Sequence, residues 1–241
     1  MTRERRGLPE GVDPDARVEA ATALRRLGHA LVGHNPDSAV LDRIRDLASD
    51  LADSVESSPR RSRSEEMALN GRFAEAIRAG SLQDLVADGD VMELFRDSVV
   101  SGAANPMGIG LTARREGDEA VAEVVLGSAF EGAPDRSHGG VVAAIIDETM
   151  GFVLPIVGLV AFTGQLTIDF LAPTPLHRPL QFRARLRGRD GRQLTIDAEG
   201  RERDLVFVRA TATFVEIPLA SFTTGAPDSS RSARDRPRPE P

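Results

Sequence analysis

The sequence predicts an α+β domain, an antiparallel sheet wrapped around one central helix, with an N-terminal helical extension. Three observations predict it. First, apolar and polar residues alternate in four runs between Phe162 and Phe214, the period of half-buried strands. Second, an apolar run from about His138 to Leu154 is too long for a strand and reads as a buried helix. Third, Ala20, Leu24, Leu27 and Leu31, then Leu41, Ile44, Ala48, Leu51 and Val55, recur at helical spacing well before any strand signal.

The elements follow in order. Residues 1–64 read as a helical hairpin, broken at His34-Asn35-Pro36-Asp37 and ended at Ser57-Ser58-Pro59. Eleven Arg balance eleven Asp plus Glu there, so no basic face for nucleic acid emerges. The narrow apolar stripes predict packing against the same chain or a sister subunit. Residues 65–221 form the main domain, with a helical lead-in through Phe73, Ala76, Ile77, Leu82, Leu85, Val91, Leu94 and Phe95. Strands over Gly108–Ala113 and Ala120–Leu126 flank a turn at Glu116-Gly117-Asp118. After the apolar helix, one strand places Phe162, Gly164, Leu166, Ile168 and Phe170 on one face and Thr163, Gln165, Thr167 and Asp169 on the other. Three more strands follow, carried by Leu180–Leu186, Leu194–Ala198 and Val206–Phe214. Residues 222–241 hold almost no apolar side chains and are expected to be disordered.

Composition excludes several chemistries. The chain has 241 residues, no Cys, Trp or Tyr, and its 30 basic residues are all Arg. That removes thiol nucleophiles, thiolate metal sites, disulfides, Schiff bases and P-loops. The net charge of −7 argues against nucleic-acid binding. The Met1–Asp15 segment lacks the apolar region of a secretory signal. Gly139–Phe162 is long enough to span a bilayer, but Asp147 and Glu148 sit near its middle and Pro155 interrupts it. A soluble cytoplasmic protein is expected. His29 and His34 match no metal-binding spacing, and no metal or cofactor is expected.

The chemistry concentrates in Phe130–Glu148. Ser137 is a good helix N-cap, and Gly139-Gly140 would open the helix with unobstructed amides, a site for negative charge or an oxyanion. Nine residues after His138, Asp147 places a carboxylate on an apolar helix, either a base or nucleophile or a structural group bonded to a strand. A nine-residue helical separation is roughly 13 Å, so one helix cannot bring both its N-terminal amides and Asp147 to one carbonyl. Two antiparallel copies could, which predicts two sites shared across a two-fold dimer.

Ordered motifs over residues 100–217 resemble the PaaI-type branch of hotdog-fold acyl-CoA thioesterases. They are Asn105-Pro106-Met107-Gly108, Phe130-Glu131-Gly132-Ala133-Pro134, His138-Gly139-Gly140, Asp147-Glu148-Thr149-Met150-Gly151 and Phe162 through Leu176. The resemblance implies a six-stranded sheet curled round the helix, in homodimers or dimers of dimers, with the active site between subunits. It implies that Asp147 activates water or attacks the thioester and that the Gly139 amide, beside His138 and Gly140, polarises the carbonyl. It also implies that Thr163, sixteen residues after Asp147, orients water or the carboxylate. Some relatives carry Asn or Gln where Gly132 stands, so that contact is either vacant in this chain or filled by backbone. Arg183, Arg185, Arg187 and Arg189 alternate along a strand, and Arg192 follows the Asp190-Gly191 turn. Arg187 and Arg192 are the candidates for coenzyme A phosphates, while a solvated face explains most of the ladder.

The expectation is therefore a cytoplasmic acyl-CoA thioesterase, with no membrane or nucleic-acid partner. The alternative is a non-catalytic acyl-CoA sensor on the same fold, with the helical hairpin as its output. A hotdog dehydratase fits poorly, because His138 and Asp147 sit on one helix nine residues apart.

Overall fold

The computed structural model describes residues 13–61, 75, 76, 79, 82, 85–93 and 95–219. Phe73, Ile77 and Leu94, and the tail from 222 onward, lie outside them. Two helices come first, α1 (Pro14–Gly33) and α2 (Ser38–Glu56). Asp13 caps α1 and Asp37 caps α2, each accepting a backbone N–H at the helix start. Four short or medium strands and helices lead to the centre: β1 (Val91–Met92), β2 (Thr112–Glu116), β3 (Glu119–Val125) and α3 (Gly139–Gly151), with the short α4 (Val153–Ile156) continuing it. Four long strands close the fold: β4 (Ala161–Phe170), β5 (Pro179–Asp190), β6 (Gln193–Glu202) and β7 (Leu205–Glu216).

The seven strands form one antiparallel sheet in the order β1-β2-β3-β5-β6-β7-β4. The sheet wraps α3, as expected of this α+β fold. The seventh strand is an addition: Val91 and Met92, expected in a helical lead-in, pair with Arg114 and Ala113 of β2. Two residues are too few to leave a period in sequence, and the pairing partner decides their conformation.

The core lies between α3 and the inner sheet face. Phe182, Ile196, Phe207 and Phe214 meet Ile145, Ile146 and Met150 of the helix, all essentially buried. Phe182 and Phe207 meet edge to face with centroids 5.6 Å apart. Gly200 makes that packing possible, since a Cβ there would lie 2.7 Å from both Phe182 and Val208. Gly139–Ile156, apolar and long enough to cross a membrane, is this central helix and is half buried by its own sheet.

The outer face is charged. Arg183 donates to Glu116 and Glu119, and Arg114 pairs with Glu116 and Glu123 across three strands. The two guanidinium groups hold the Glu116 carboxyl below its ordinary range, and hydrogen bonds to Glu116 and Glu123 raise Arg114. The arginine ladder does not run straight. A bulge at Arg187 shifts the β5–β6 register, so Arg189 lies opposite the buried Leu194. Arg187 approaches Asp197 and Arg189 pairs with Glu216.

α1 docks on this unit through a line of side chains one turn apart. Ala21 is buried, and Arg25 Nη1 donates to the carbonyls of Ala103 at 3.0 Å and Asn105 at 2.6 Å. His29 meets Phe130 edge to face at 4.9 Å. Leu24, Leu27 and Leu31 point away and stay exposed.

Candidate active site

The site is built at α3 and at β4, the edge strand. His138, rather than Ser137, caps α3: its Nδ1 accepts the Gly140 N–H at 3.0 Å. This corrects the expectation for Ser137, whose hydroxyl is buried and has no hydrogen-bond partner among the described residues. The Ser137 N–H instead donates to Thr174 O at 2.9 Å, which anchors the loop. Because His138 consumes the Gly140 amide, the Gly139 N–H is left without a partner among the described residues. It is an exposed donor at the positive end of a 13-residue helix. A cleft of about 380 Å³ opens beside it, lined by Arg136, Ser137, Gly139, Phe170, Pro173 and Thr174 among others.

The loop before His138 is tightly set. The His138 N–H donates to Phe130 O at 2.8 Å, and Gly132 N–H to Arg136 O at 3.0 Å. A Cβ on Gly132 would lie 2.7 Å from the His138 Cα, so this position needs glycine to let the two backbones meet. Gly132 thus packs against His138. Phe130, which holds His138, is the residue that α1 touches through His29.

About two turns further along α3, Asp147 is half-buried and accepts a 2.8 Å hydrogen bond from the Thr163 hydroxyl. The alternation along β4 placed Thr163 with Gln165 and Asp169, and Phe162 with Leu166. The structure reverses this at the start of the strand. Thr163 pairs with the buried Phe214 and Gln165 with Thr213, so a bulge at Gly164 absorbs one residue. Thr163 therefore shares the helix-facing side with Leu166 and Ile168, and Phe162 turns outward, 57% exposed. A glycine within a strand is the sequence signal for such a bulge.

Glu148, next along the helix, does different work. It accepts hydrogen bonds from Ser98 and Ser101 and ties the preceding loop to α3. The structure thus brings Asp147 to Thr163 and His138 to Gly139 and Gly140, as two separate groups. Arg187 and Arg192 join neither. They flank the β5–β6 turn at the end of the sheet where β4 begins, and Arg192 Nε donates to Glu216 O at 3.0 Å. Sequence reasoning passed over Arg136 and Phe170 as cleft residues, although both stand in motifs it singled out.

Residues 137–208, which run from the loop before α3 into β7, match the family model of the thioesterase superfamily. Over that segment, which holds α3 and most of the sheet, the chain is similar to the thioesterase superfamily. Acyl-coenzyme A thioesterase THEM4 of Rattus norvegicus is 31% identical over 90 residues, 36% of this chain and 39% of the rat protein. The match thus spans about two-fifths of the length of that curated relative. The crystal structure of protein RHA08564, a thioesterase superfamily protein, superposes with a TM-score of 0.66 at 24% identity, covering 86% of this chain and 92% of the other. The E. coli PaaI protein is similar over 45% of this chain and 80% of its own, with 20% identity and a TM-score of 0.43. The matched segment contains the His138 cap, the Gly139 donor, Asp147 and Thr163 alike.

Proposed function

We propose that this protein is an acyl-CoA thioesterase of the PaaI type, with each active site shared between two copies. The observation that carries the reading is the hydrogen bond from Thr163 to Asp147. It fixes a half-buried carboxylate through one oxygen and leaves the other oxygen for a water molecule. The Gly139 amide is the second requirement, an unpaired donor suited to an oxyanion. The two lie eight residues apart on α3, roughly 12 Å along the axis, so one chain cannot apply both to one carbonyl. The β4 edge, with exposed Phe162, Phe170 and Leu171, is the natural surface for a second copy. The acyl-CoA substrate class rests on the likeness to the rat enzyme.

In this mechanism Asp147 of one copy takes a proton from water as the water oxygen attacks the thioester carbonyl. The Gly139 N–H of the other copy and its helix dipole hold the oxyanion. The intermediate collapses, the C–S bond breaks, and the thiolate leaves with the proton as coenzyme A. Thr163 holds the carboxylate in position, and His138 keeps the Gly140 amide occupied and the helix start in register.

Thiol release from a panel of acyl-CoAs tests the reading, and a cysteine-free chain contributes no thiol background. Asp147→Asn is expected to lower kcat by about 10²–10⁴-fold while the fold is retained. A folded variant that keeps wild-type turnover overturns the role of Asp147. Gly139→Pro tests the donor, because proline is tolerated at the first helical position and removes the N–H. The extended backbone of His138 suits a residue before proline. Mixing inactive Asp147→Asn and Gly139→Pro chains should restore about one quarter of the wild-type rate, since a mixed dimer keeps one intact site. No recovery in verified mixed dimers rejects the shared site.

A further inference from the structure

α1 reaches the proposed active site through one short turn. Ala21, Arg25 and His29 recur every four residues and so share the face of α1 that meets the body. Arg25 pins the middle of that face to the Ala103 and Asn105 carbonyls. One turn later His29 lands on the 3₁₀ turn Ser128–Phe130. The approach is close: a Cβ on Gly127 would lie 2.9 Å from His29 Nδ1. The Phe130 ring has two supports, the core against which it packs and the edge-to-face contact with His29.

The backbone of Phe130 carries that contact to the start of α3. Its carbonyl accepts the His138 N–H at 2.8 Å, Glu131 and Ser137 pair as an antiparallel bridge, and Gly132 N–H donates to Arg136 O. Residues 130–138 thus close as a small hairpin with Phe130 and His138 at its base. His138 then holds the Gly140 N–H, which leaves Gly139 as the open donor among the described residues. The Gly139 N–H lies in the peptide plane that follows His138, and the His138 backbone angles, φ −64° and ψ 131°, set that plane. A hydrogen bond weakens steeply when its donor is misdirected. Neither α1 nor Phe130 falls within the 137–208 segment that the family model matches, so this support comes from outside it. We propose that α1 is a positioning element for the start of α3, with His29 acting through Phe130 to fix the His138 backbone and the direction of the Gly139 N–H. The catalytic consequence rests on the reading of Gly139 as the oxyanion donor; the link itself does not.

The test uses the full chain labelled with ¹⁵N-glycine, well below its melting temperature, beside turnover on acyl-CoA. In His29→Ala the Gly140 amide proton should shift upfield and broaden as its bond to His138 loosens, while Gly188 and Gly200 in the sheet keep their positions. kcat should fall about tenfold with KM held, short of the roughly 10²–10³-fold cost of deleting an oxyanion donor. His29→Phe should restore both, because a phenyl ring keeps the edge-to-face contact. Arg25→Gln releases α1 at a separate contact and should move the same resonance. An unmoved Gly140 resonance in both folded variants overturns the proposal. Equal movement of Gly188 and Gly200 overturns it too, as the sign of general loosening. A shifted Gly140 with unchanged kcat in an active enzyme removes the positioning role. A shifted Gly140 in a protein whose wild type releases no thiol supports the link and overturns the thioesterase reading alone.

Discussion

The sheet around α3 and the two N-terminal helices use apolar side chains in opposite ways. In the sheet unit the chain supplies both surfaces of the core. Phe182, Ile196 and Phe214 on one side meet Ile145, Ile146 and Met150 on the other, and burial is essentially complete. In the helical layer the described residues supply one surface only. α1 presents a mixed line to the body, and the stripes of α1 and α2 stay in water. Stability in the first region is therefore an internal property of one chain. In the second, the exposed stripes add little to the stability of a single chain.

The largest expected contrast lies in the core. Phe182→Ala should destabilise the protein by about 3–5 kcal/mol in denaturant melts, with the same loss at low and high protein concentration. A loss under about 1 kcal/mol would mean that the sheet core is looser than its burial indicates. His29→Ala probes the join between the two regions. It removes the ring contact to Phe130 and should cost about 1 kcal/mol, with His29→Phe recovering most of it. An effect on melting without recovery by Phe would assign the contact to the imidazole nitrogens instead. Leu51→Ser on α2 should change the stability of dilute protein by less than about 0.5 kcal/mol, because the side chain is exposed there. A larger loss in dilute protein would show that the stripe is covered within one chain.

The smallest effect concerns the outer sheet face and has a definite sign. Arg114 and Arg183 lower the Glu116 carboxyl, so its ion pairs favour the folded state above the ordinary carboxylate range. That contribution is lost as pH falls through the lowered value. Glu116→Gln should thus melt slightly below wild type at neutral pH, and the two curves should converge in acid. Parallel curves down to the lowest pH would remove Glu116 from the account. Its exposure keeps the effect small.

Much of the sheet unit was legible because its signal is long. Four strands of ten to twelve residues and one apolar helix each repeat their period often enough to be read. Asp147 and Thr163 stood out as a pair only through the family resemblance, and the structure brings them within hydrogen-bond distance. What failed to show was local geometry. Val91 and Met92 become a strand because β2 is beside them, which no window around residue 91 records. The bulges at Gly164 and Arg187 each reverse the facing of the residues beyond them, so a strict alternation rule misplaces Thr163, Phe162 and Arg189. The capping role passed from Ser137 to His138 because the loop turns Ser137 inward, against Thr174.

The bulge at Gly164 makes β4 a strand with two readings. Beyond it, Leu166 and Ile168 count as packing; before it, the same side carries Thr163 to Asp147. A regular strand with Gly164 taken into the ladder would keep Leu166 and Ile168 on the helix side, turn Thr163 outward and bring the Phe162 ring toward the carboxylate. The same letters would then say something different, since the grammar of the strand here depends on one uncounted letter.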